Sequence, residues 1–202
     1  GFSKLSEEYD VIQPLALGGI TYGVSDLELT AAYAAIADGG QYRKPVFYTK
    51  VTDSKGNVLI DNTENKATQV FKASTASLLT NAMEDVLEKG TGVAARLDNM
   101  HAAGKTGTTN EAKDLVFAGF TPYYTAAIWA TYDTHAEFPE SDREFHKRLW
   151  AKVMNEIHEG LADMDFETSA TVQEATICTK TGLLARSSCP SITEYFAVSD
   201  LP

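Results

Sequence analysis

The sequence predicts an α+β fold in which helices pack on an antiparallel sheet, and three observations support this prediction. Residues 115–120 and 125–132 are short runs rich in β-branched and aromatic residues, separated by a turn, and they indicate a β-hairpin. The glycine- and threonine-rich residues 103–109 precede this hairpin as a further strand. Residues 75–89 and 141–161 carry apolar side chains at helical spacing, which is typical of helices that lie on a sheet.

Length and charge narrow the class of protein. The 202 residues suffice for one large domain, or for a domain with a small appendage. A net charge of −11 argues against nucleic acid and anionic lipid surfaces as partners. No apolar run reaches the length of about 18 residues that a membrane span needs. The chain opens at Gly1 with no signal-peptide pattern, and we interpret it as a piece of a longer protein.

The first part of the chain is predicted to hold one helix between a loop and two strands. Residues 1–23 are rich in glycine and indicate a loop. Ser25 followed by Glu28 forms a capping-box pattern that starts a helix, and Gly39-Gly40 ends it. Beyond this helix we expect strands over residues 42–51, 58–60 and 68–71, with a turn at residues 53–57 between the first two.

Two amphipathic helices follow. The first is expected over residues 75–89 and to end at Gly90-Thr91-Gly92. The second is expected to start at a capping box, Ser141 with Glu144, and to run about five turns to Gly160. Its apolar residues recur every four positions, which predicts the face that lies on the sheet. These are Phe145, Leu149, Val153, Ile157 and Leu161, with Trp150 and Met154 widening the stripe.

The sequence changes character after residue 161. Thr, Ser, Val and Pro become frequent and the helical period is lost, with strand candidates at residues 172–179 and 195–198. We therefore divide the chain into a main part, residues 1–161, and a small β-rich C-terminal appendage, residues 162–202. Cys178 and Cys189 both lie in the appendage, where they could bridge in an oxidising compartment or remain unrelated thiols. No histidine pairs with a cysteine at metal spacing, so no metal site is expected.

The stretch from Ala103 to Thr109 holds the chemistry that stands out in this sequence. Its glycines permit close approach of backbone to ligand, its lysine supplies a positive charge, and its threonines donate and accept hydrogen bonds. This combination suits a carboxylate or another small anion. A phosphate loop is the alternative, but that pattern needs a glycine where Asn99 stands and a helix directly after Lys105. Chance is the third interpretation, since Lys180-Thr181-Gly182 repeats the tripeptide without the flanking glycine and hydroxyl.

Several stretches together resemble one family, the penicillin-recognising serine enzymes, and within it the C-terminal part of the transpeptidase domain of a class A penicillin-binding protein. The Lys-Thr-Gly box is one of that family's three catalytic boxes. The ordered matches cover nearly the whole chain. They are residues 15–19, the helix from Ser25 to Gly40, Gly90-Thr91-Gly92, residues 104–109, residues 118–122, and the tail from Cys178 to Cys189.

The other two boxes of the family, Ser-x-x-Lys and Ser-x-Asn, have no counterpart here. No serine of this chain has a lysine three residues on or an asparagine two residues on. Both boxes precede Lys-Thr-Gly in the family's order, so the chain is expected to lack the nucleophile, its helix and the N-terminal strands. In the family the Lys105 strand lies at the edge of a five-stranded antiparallel sheet, of which this chain would supply three strands.

The resemblance implies a function and roles for individual residues. The family cross-links peptidoglycan stem peptides that end in D-Ala-D-Ala, through a serine acyl-enzyme and without a cofactor, and β-lactams mimic that substrate. Lys105 would attract the substrate carboxylate, the hydroxyls of Thr106 and Thr108 would bond it or its neighbours, and Gly107 and Thr109 complete the binding stretch. The backbone N–H of Thr108 would form half of the oxyanion hole. Without the nucleophile, the chain alone is expected to be inactive.

The resemblance also implies a location and partners. The family works at the extracytoplasmic face of the bacterial membrane, held by an N-terminal anchor that this chain lacks. That location would permit a Cys178–Cys189 bridge. The missing half of the domain is an expected partner, and self-association is expected because an edge strand and an apolar face would be bare. The alternative function is a non-catalytic binding or scaffold module of the same fold.

Overall fold

Three helices and nine strands order the chain, and the computed structural model describes all 202 residues. No helix combines the length and apolar character that a lipid bilayer crossing requires. The helices are α1 (Asp26–Ala37), α2 (Ala73–Glu88) and α3 (Phe145–Ile157). The strands are β1 (Gln41–Tyr42), β2 (Lys50–Thr52), β3 (Val58–Asp61), β4 (Thr68–Gln69), β5 (Ala103–Thr108), β6 (Asp114–Phe120), β7 (Thr125–Thr131), β8 (Val172–Cys178) and β9 (Ser191–Ala197).

Helix α1 begins as its sequence predicts. The Ser25 hydroxyl accepts the Glu28 N–H at 3.3 Å, and the Glu28 carboxylate accepts the Ser25 N–H at 3.0 Å, so the capping box is confirmed. The helix ends at two glycines with positive φ. A Cβ at Gly40 would lie 2.2 Å from the Phe71 carbonyl oxygen, so no larger residue fits there.

The prediction of a single strand over residues 42–51 is wrong. Only its two ends are strands, and they belong to different sheets: β1 pairs with β4, and β2 pairs with β3. Pro45 explains the break, since proline has no N–H to donate and restricts the backbone of Lys44 before it. The turn after β2 is as predicted, because the Asp53 carboxylate accepts the N–H groups of Lys55 and Asn57 at 2.8 and 2.9 Å.

The central sheet contains β5, β6 and β7 in that order, all antiparallel. Lys105 lies opposite Ala118, and Ala118 lies opposite Ala127. The predicted hairpin and its neighbouring strand are therefore confirmed. Strand β5 pairs with β6 on one side only, which makes it an edge strand, and the outer edge of β7 is likewise unpaired.

Helices cover both faces of this sheet. On one face Phe120 and Ala103 pack with Met83 of α2, while Tyr33 and Ile36 of α1 border the cluster. On the other face Phe117 meets Trp150 of α3 edge-on, at 5.0 Å between ring centroids. Close contact here depends on Gly119, because a Cβ at that position would lie 2.9 Å from both aromatic rings. The layers are thus helix, sheet and helix.

Two predictions about α3 are wrong. The helix begins at Phe145 and spans 13 residues, which is less than four turns, and Glu144 caps it without a side-chain bond. The predicted capping box does not form, because the Glu144 carboxylate binds Lys147 and Arg148 while the Ser141 hydroxyl donates to Asp142. A short 3₁₀ turn, Glu140–Asp142, stands in its place.

The apolar stripe predicted to lie on the sheet is only partly confirmed: Trp150 and Met154, which widen it, are buried, whereas its five residues at four-residue spacing face outward. The buried side of α3 carries Trp150, Ala151 and Met154, together with His146 and Lys147. This side wins because the indole of Trp150 fills the space beside Phe117 and donates to the Ala126 carbonyl at 3.0 Å. The five residues at four-residue spacing are left between 37% and 47% exposed, and together they form an apolar surface. It consists of Phe145, Leu149, Val153, Ile157 and Leu161.

The C-terminal residues form a separate hairpin of β8 and β9, seven residues each and antiparallel. The second strand is longer than the predicted residues 195–198. The segment before β8 contacts the main part at several points, two of which lie close to the sheet and to α2. Phe166 meets Phe120 edge-on at 5.4 Å between centroids, and the Ser169 N–H donates to the Ser77 hydroxyl at 2.9 Å.

Candidate functional site

The predicted site residues lie along the outer edge of the central sheet. Lys105, Thr106, Gly107 and Thr108 follow one another on β5, and Thr109 is the first residue after it. Ala103 and Gly104 at the start of the strand are buried, whereas Lys105 and the residues beyond Thr106 are exposed. The strand therefore leaves the core as it proceeds and presents its second half to solvent.

The two glycines of this strand serve different purposes. A Cβ at Gly104 would lie 2.8 Å from the Ala118 carbonyl oxygen and from the Phe117 ring, so glycine is required for β5 to pack on β6. A Cβ at Gly107 would meet only the Val116 side chain, at an ordinary 3.5 Å. The protein's own packing does not require glycine at position 107, and the absence of a side chain there leaves the outer surface open to a ligand.

Lys105 carries a positive charge that no carboxylate of the chain neutralises. Its Nζ donates to the Thr106 carbonyl oxygen at 3.0 Å and reaches the Thr106 hydroxyl at 3.3 Å. None of the ion pairs in the structure includes it. In a chain of net charge −11, an exposed and unpaired ammonium beside a hydroxyl is suited to bind an anion.

Thr106 joins this lysine to residues that the sequence did not assign to the site. Its hydroxyl lies 2.8 Å from the hydroxyl of Thr91, which follows Gly90 after the end of α2. The Thr91 carbonyl oxygen in turn accepts the Lys147 ammonium at 3.1 Å, and Lys147 also bonds Glu144 at 3.1 Å. The Gly90-Thr91-Gly92 pattern pointed to a helix end, and a lysine in an amphipathic helix is normally solvated, so neither role had a sequence signal beyond the family match.

Thr109 is engaged in the turn that follows the strand. Its hydroxyl donates to the Asp114 carboxylate at 3.0 Å and accepts the Asp114 N–H at 2.9 Å. Glu111 and Ala112 within this turn have φ of 62° and 49°, a conformation that non-glycine residues rarely adopt. The Thr109 side chain thus closes the β5–β6 turn, while the Thr106 and Thr108 side chains stay on the strand. Its contribution to a ligand site remains a prediction.

Residues 105–109, of which only Thr106 is half-buried, form an open shelf at the edge of the sheet. The five best-defined cavities of the protein, of about 330 to 520 Å³ each, lie elsewhere, and no residue of β5 lines any of them. The phosphate-loop alternative fails, because strand β5 continues through Lys105 where that motif needs a helix. The duplicate Lys180-Thr181-Gly182 falls in the connection between β8 and β9, which form a different sheet, with Gly182 at φ 73°.

The two cysteines lie at the same end of the C-terminal hairpin. Cys178 ends β8 and is buried, while Cys189 precedes β9 and is half-buried. The Thr179 N–H donates to the Pro190 carbonyl at 2.9 Å, which holds the two neighbouring chain segments together. A hydrogen bond from the Cys189 thiol, aided by the backbone of Lys180, lowers the pKa of the Cys178 thiol to about 7.

Comparison with protein families and relatives agrees with the sequence motifs. The penicillin binding protein transpeptidase domain matches residues 5–159, and the C-terminal domain of penicillin-binding protein 1A matches residues 169–198. Penicillin-binding protein 1A of Clostridium perfringens is 34% identical over 172 residues, 85% of this chain and 20% of the relative. Penicillin-binding protein 4 of Bacillus subtilis is 41% identical over 133 residues, 66% of this chain and 21% of the relative. The chain thus spans about a fifth of the length of these relatives.

Solved structures agree on the fold. Penicillin-binding protein 1A of Haemophilus influenzae covers all of this chain with a TM-score of 0.79, at 21% identity and over 35% of that protein's length. The PonA1 protein of Mycobacterium tuberculosis, solved in complex with penicillin V, has a TM-score of 0.69 and 26% identity. It covers 81% of this chain, which spans 46% of that structure. The mixed helical and antiparallel architecture is therefore shared with these proteins.

Proposed function

The chain belongs to the penicillin-binding protein transpeptidase family, and we propose that it forms the side of the active site that carries the Lys-Thr-Gly box in a longer enzyme. That enzyme would cross-link peptidoglycan stem peptides ending in D-Ala-D-Ala, through an acyl group carried on a serine outside this chain. The observation that carries the proposal is the unpaired ammonium of Lys105 on an exposed edge strand, with a hydroxyl 3.3 Å away.

We assign a role to each residue from Lys105 to Thr109. The Lys105 ammonium and the Thr106 hydroxyl attract and bond the terminal carboxylate of the stem peptide, or that of a β-lactam. Gly107 lets the substrate backbone approach the strand, since no side chain occupies that surface. The backbone N–H of Thr108 serves as one oxyanion-hole donor, which in acyl transfer contributes about 3 kcal/mol to stabilising the transition state. Thr108 and Thr109 hydroxyls complete the polar margin, the latter chiefly by closing the turn to Asp114.

The open shelf supports a division of labour between this chain and the rest of the domain. A transpeptidase needs a nucleophile and a base opposite the lysine, and no serine of this chain opens a Ser-x-x-Lys box. We therefore expect the chain alone to form no covalent adduct with a penicillin. In the intact protein, residues 1–161 would complete the transpeptidase domain and residues 162–202 would form its appendage, on the outer side of the cell membrane.

Lys105→Ala in the full-length protein tests this function, with Lys180→Ala as the matched control. Lys180 stands in the same tripeptide and also lies exposed, so its substitution changes charge equally without touching the shelf. We expect Lys105→Ala to lower the rate of acylation by a fluorescent penicillin at least tenfold, with no change in thermal midpoint, and Lys180→Ala to leave the rate unaltered. Equal rates for both variants would show that Lys105 does not bind the carboxylate.

A further inference from the structure

The shelf is connected to helix α3 through a chain of polar contacts that crosses three elements. It runs from the Glu144 carboxylate to the Lys147 ammonium, on to the Thr91 carbonyl, and from the Thr91 hydroxyl to that of Thr106. Thr106 bonds Lys105 at its other side. A contact chain of this kind fixes the position and orientation of its last member, which here is the hydroxyl of the proposed carboxylate site.

Lys147 is an unusual residue to find at its position. Its side chain is only 10% exposed, and a buried ammonium is costly unless it is paired and hydrogen-bonded. Both requirements are met, one by Glu144 and one by the carbonyl of Thr91. An apolar residue of similar length would fill the same space at no cost in desolvation. A lysine at this buried position is explained if its role is to donate a hydrogen bond to the Thr91 carbonyl.

The loop that carries Thr91 is held closely against α2. The Gly92 N–H donates to the Val86 carbonyl oxygen at 2.9 Å. A Cβ at Gly90 would lie 2.8 Å from the Val86 Cα, and one at Gly92 would lie 3.0 Å from the Val86 carbonyl oxygen. Both flanking glycines are thus packed against the backbone of α2, and the Lys147 bond adds a restraint on the peptide that carries the Thr91 carbonyl, and so on the backbone from which the Thr91 hydroxyl projects.

Hydrogen-bond accounting then gives Thr91 a specific task. A threonine hydroxyl has two lone pairs and one proton. Lys105 can only donate, so it occupies one lone pair of the Thr106 oxygen. If the Thr91 hydroxyl donates to the second, the Thr106 proton cannot point to either neighbour. It is left to donate outward, into the space where the carboxylate is proposed to bind.

We propose that Thr91 and Lys147 are positioning residues, which turn the Thr106 hydroxyl into a donor aimed at the substrate carboxylate. Thr91 acts by donating its proton to the Thr106 oxygen, and Lys147 acts by holding the Thr91 peptide. The inference rests on the proposed function, because it needs a carboxylate at the shelf. No proton is transferred and no bond is made or broken.

The test compares Thr91→Val with Thr91→Ser in the full-length protein. Valine keeps the shape and removes the hydroxyl, whereas serine keeps the hydroxyl; Thr91 is exposed, so neither change disturbs the core. We expect Thr91→Val to slow acylation by a fluorescent penicillin about 3- to 10-fold, the usual worth of one hydrogen bond. Thr91→Ser should stay within about twofold of the parent. With the methyl ester of the same penicillin, which has no free carboxylate, valine and threonine should react at the same rate.

Lys147 is tested by coupling. Lys147→Met should slow acylation in the same range, Lys147→Arg should restore part of the rate, and the double variant with Thr91→Val should be no slower than the slower single variant. Lys152→Met is the control, since Lys152 lies exposed on the same helix and makes no ion pair.

Three outcomes overturn all or part of the proposal, and they can be told apart. If Thr91→Val slows the free acid and the ester equally, or slows neither, Thr91 does not orient a donor toward the carboxylate, although the proposed function stands. If the unsubstituted protein is not acylated at all, the proposed function fails and this inference fails with it. If the effects of Thr91→Val and Lys147→Met on the acylation rate are additive, Lys147 does not act through Thr91, and the role proposed for Lys147 is wrong.

Discussion

Alanine at the two glycines of β5 should have opposite consequences, and the structure gives the size of each. At Gly104 the new methyl group would lie 2.8 Å from the Ala118 carbonyl oxygen and 3.0 Å from the Gly119 Cα, both of them backbone atoms that cannot rotate away. Overpacking of this kind costs about 1–3 kcal/mol. Replacing glycine also reduces the conformational entropy of the unfolded chain, which stabilises the folded state by about 0.4–1 kcal/mol. The clash is larger, so Gly104→Ala should destabilise the fold.

At Gly107 the balance is reversed. The only neighbour of the added methyl group is the Val116 Cβ at 3.5 Å, and the φ of Gly107 is not in the left-handed region. Only the unfolded-state term remains, so stability should be unchanged or raised by up to about 1 kcal/mol. The methyl group would stand on the surface where the substrate backbone is proposed to lie. Gly107→Ala should therefore fold normally and lose most of its acylation by penicillin.

Two measurements on both variants check this pair of expectations. In urea unfolding of the chain, the midpoint should be lower for Gly104→Ala and should not be lower for Gly107→Ala. An unchanged slope would show that each variant exposes the same surface on unfolding, so that a shifted midpoint reports a change in stability. Acylation by a fluorescent penicillin in the full-length protein should fall for Gly107→Ala at undiminished stability. A Gly107→Ala protein that is acylated at the parent rate would refute the proposed approach of substrate to this strand. A stable Gly104→Ala protein would refute the packing argument.

The remaining predictions concern regions outside the shelf. Oxidised glutathione should convert Cys178 and Cys189 to a disulfide, because the Cys178 thiol has a pKa of about 7 and is partly ionised at neutral pH. Peptide mass spectrometry should then show a bridged pair that resists alkylation until it is reduced. Alkylation of both thiols without prior reduction would contradict the pairing. The exposed stripe of α3 and the open edge of β7 should make the isolated chain self-associate or bind the remainder of its domain, and a strictly monomeric species at high concentration in sedimentation would argue against this. Burial, and to a lesser degree the Lys147 ammonium, lowers the pKa of His146, so the unfolded chain binds the proton more readily than the folded one. The free energy of unfolding is therefore highest above about pH 6.5 and falls as the pH drops toward the lowered pKa. Between pH 7.5 and 5.5 the decrease measured by urea unfolding should be smaller in His146→Gln, and an equal decrease would show that His146 is not responsible.

The sequence predicted the centre of this fold better than its margins. The hairpin of β6 and β7 was predictable because β-branched and aromatic runs flank a turn, and each local signal agrees with the final sheet. The strand over residues 42–51 was mispredicted because apolar character outweighed Pro45, which removes a ladder donor in the middle of the run. The missing capping box at Ser141 shows that a pattern specifies a cap only if its carboxylate has no stronger partner. Glu144 has two, Lys147 and Arg148.

The motif of the candidate site could be predicted from the sequence, but the contacts that support it could not, and α3 shows why. A chemistry-bearing motif is local, so Lys105 and its neighbours could be found from seven consecutive residues. The contacts that support it are not local: Thr91 lies 15 residues before Thr106, and Lys147 lies 56 residues after Thr91. Helical periodicity predicted one broad stripe on α3, and the fit of Trp150 beside Phe117 decides which part of it lies on the sheet. That choice also turns Lys147 inward, toward Thr91. The rotation of one helix thus determines both which apolar stripe remains exposed and which lysine reaches the shelf.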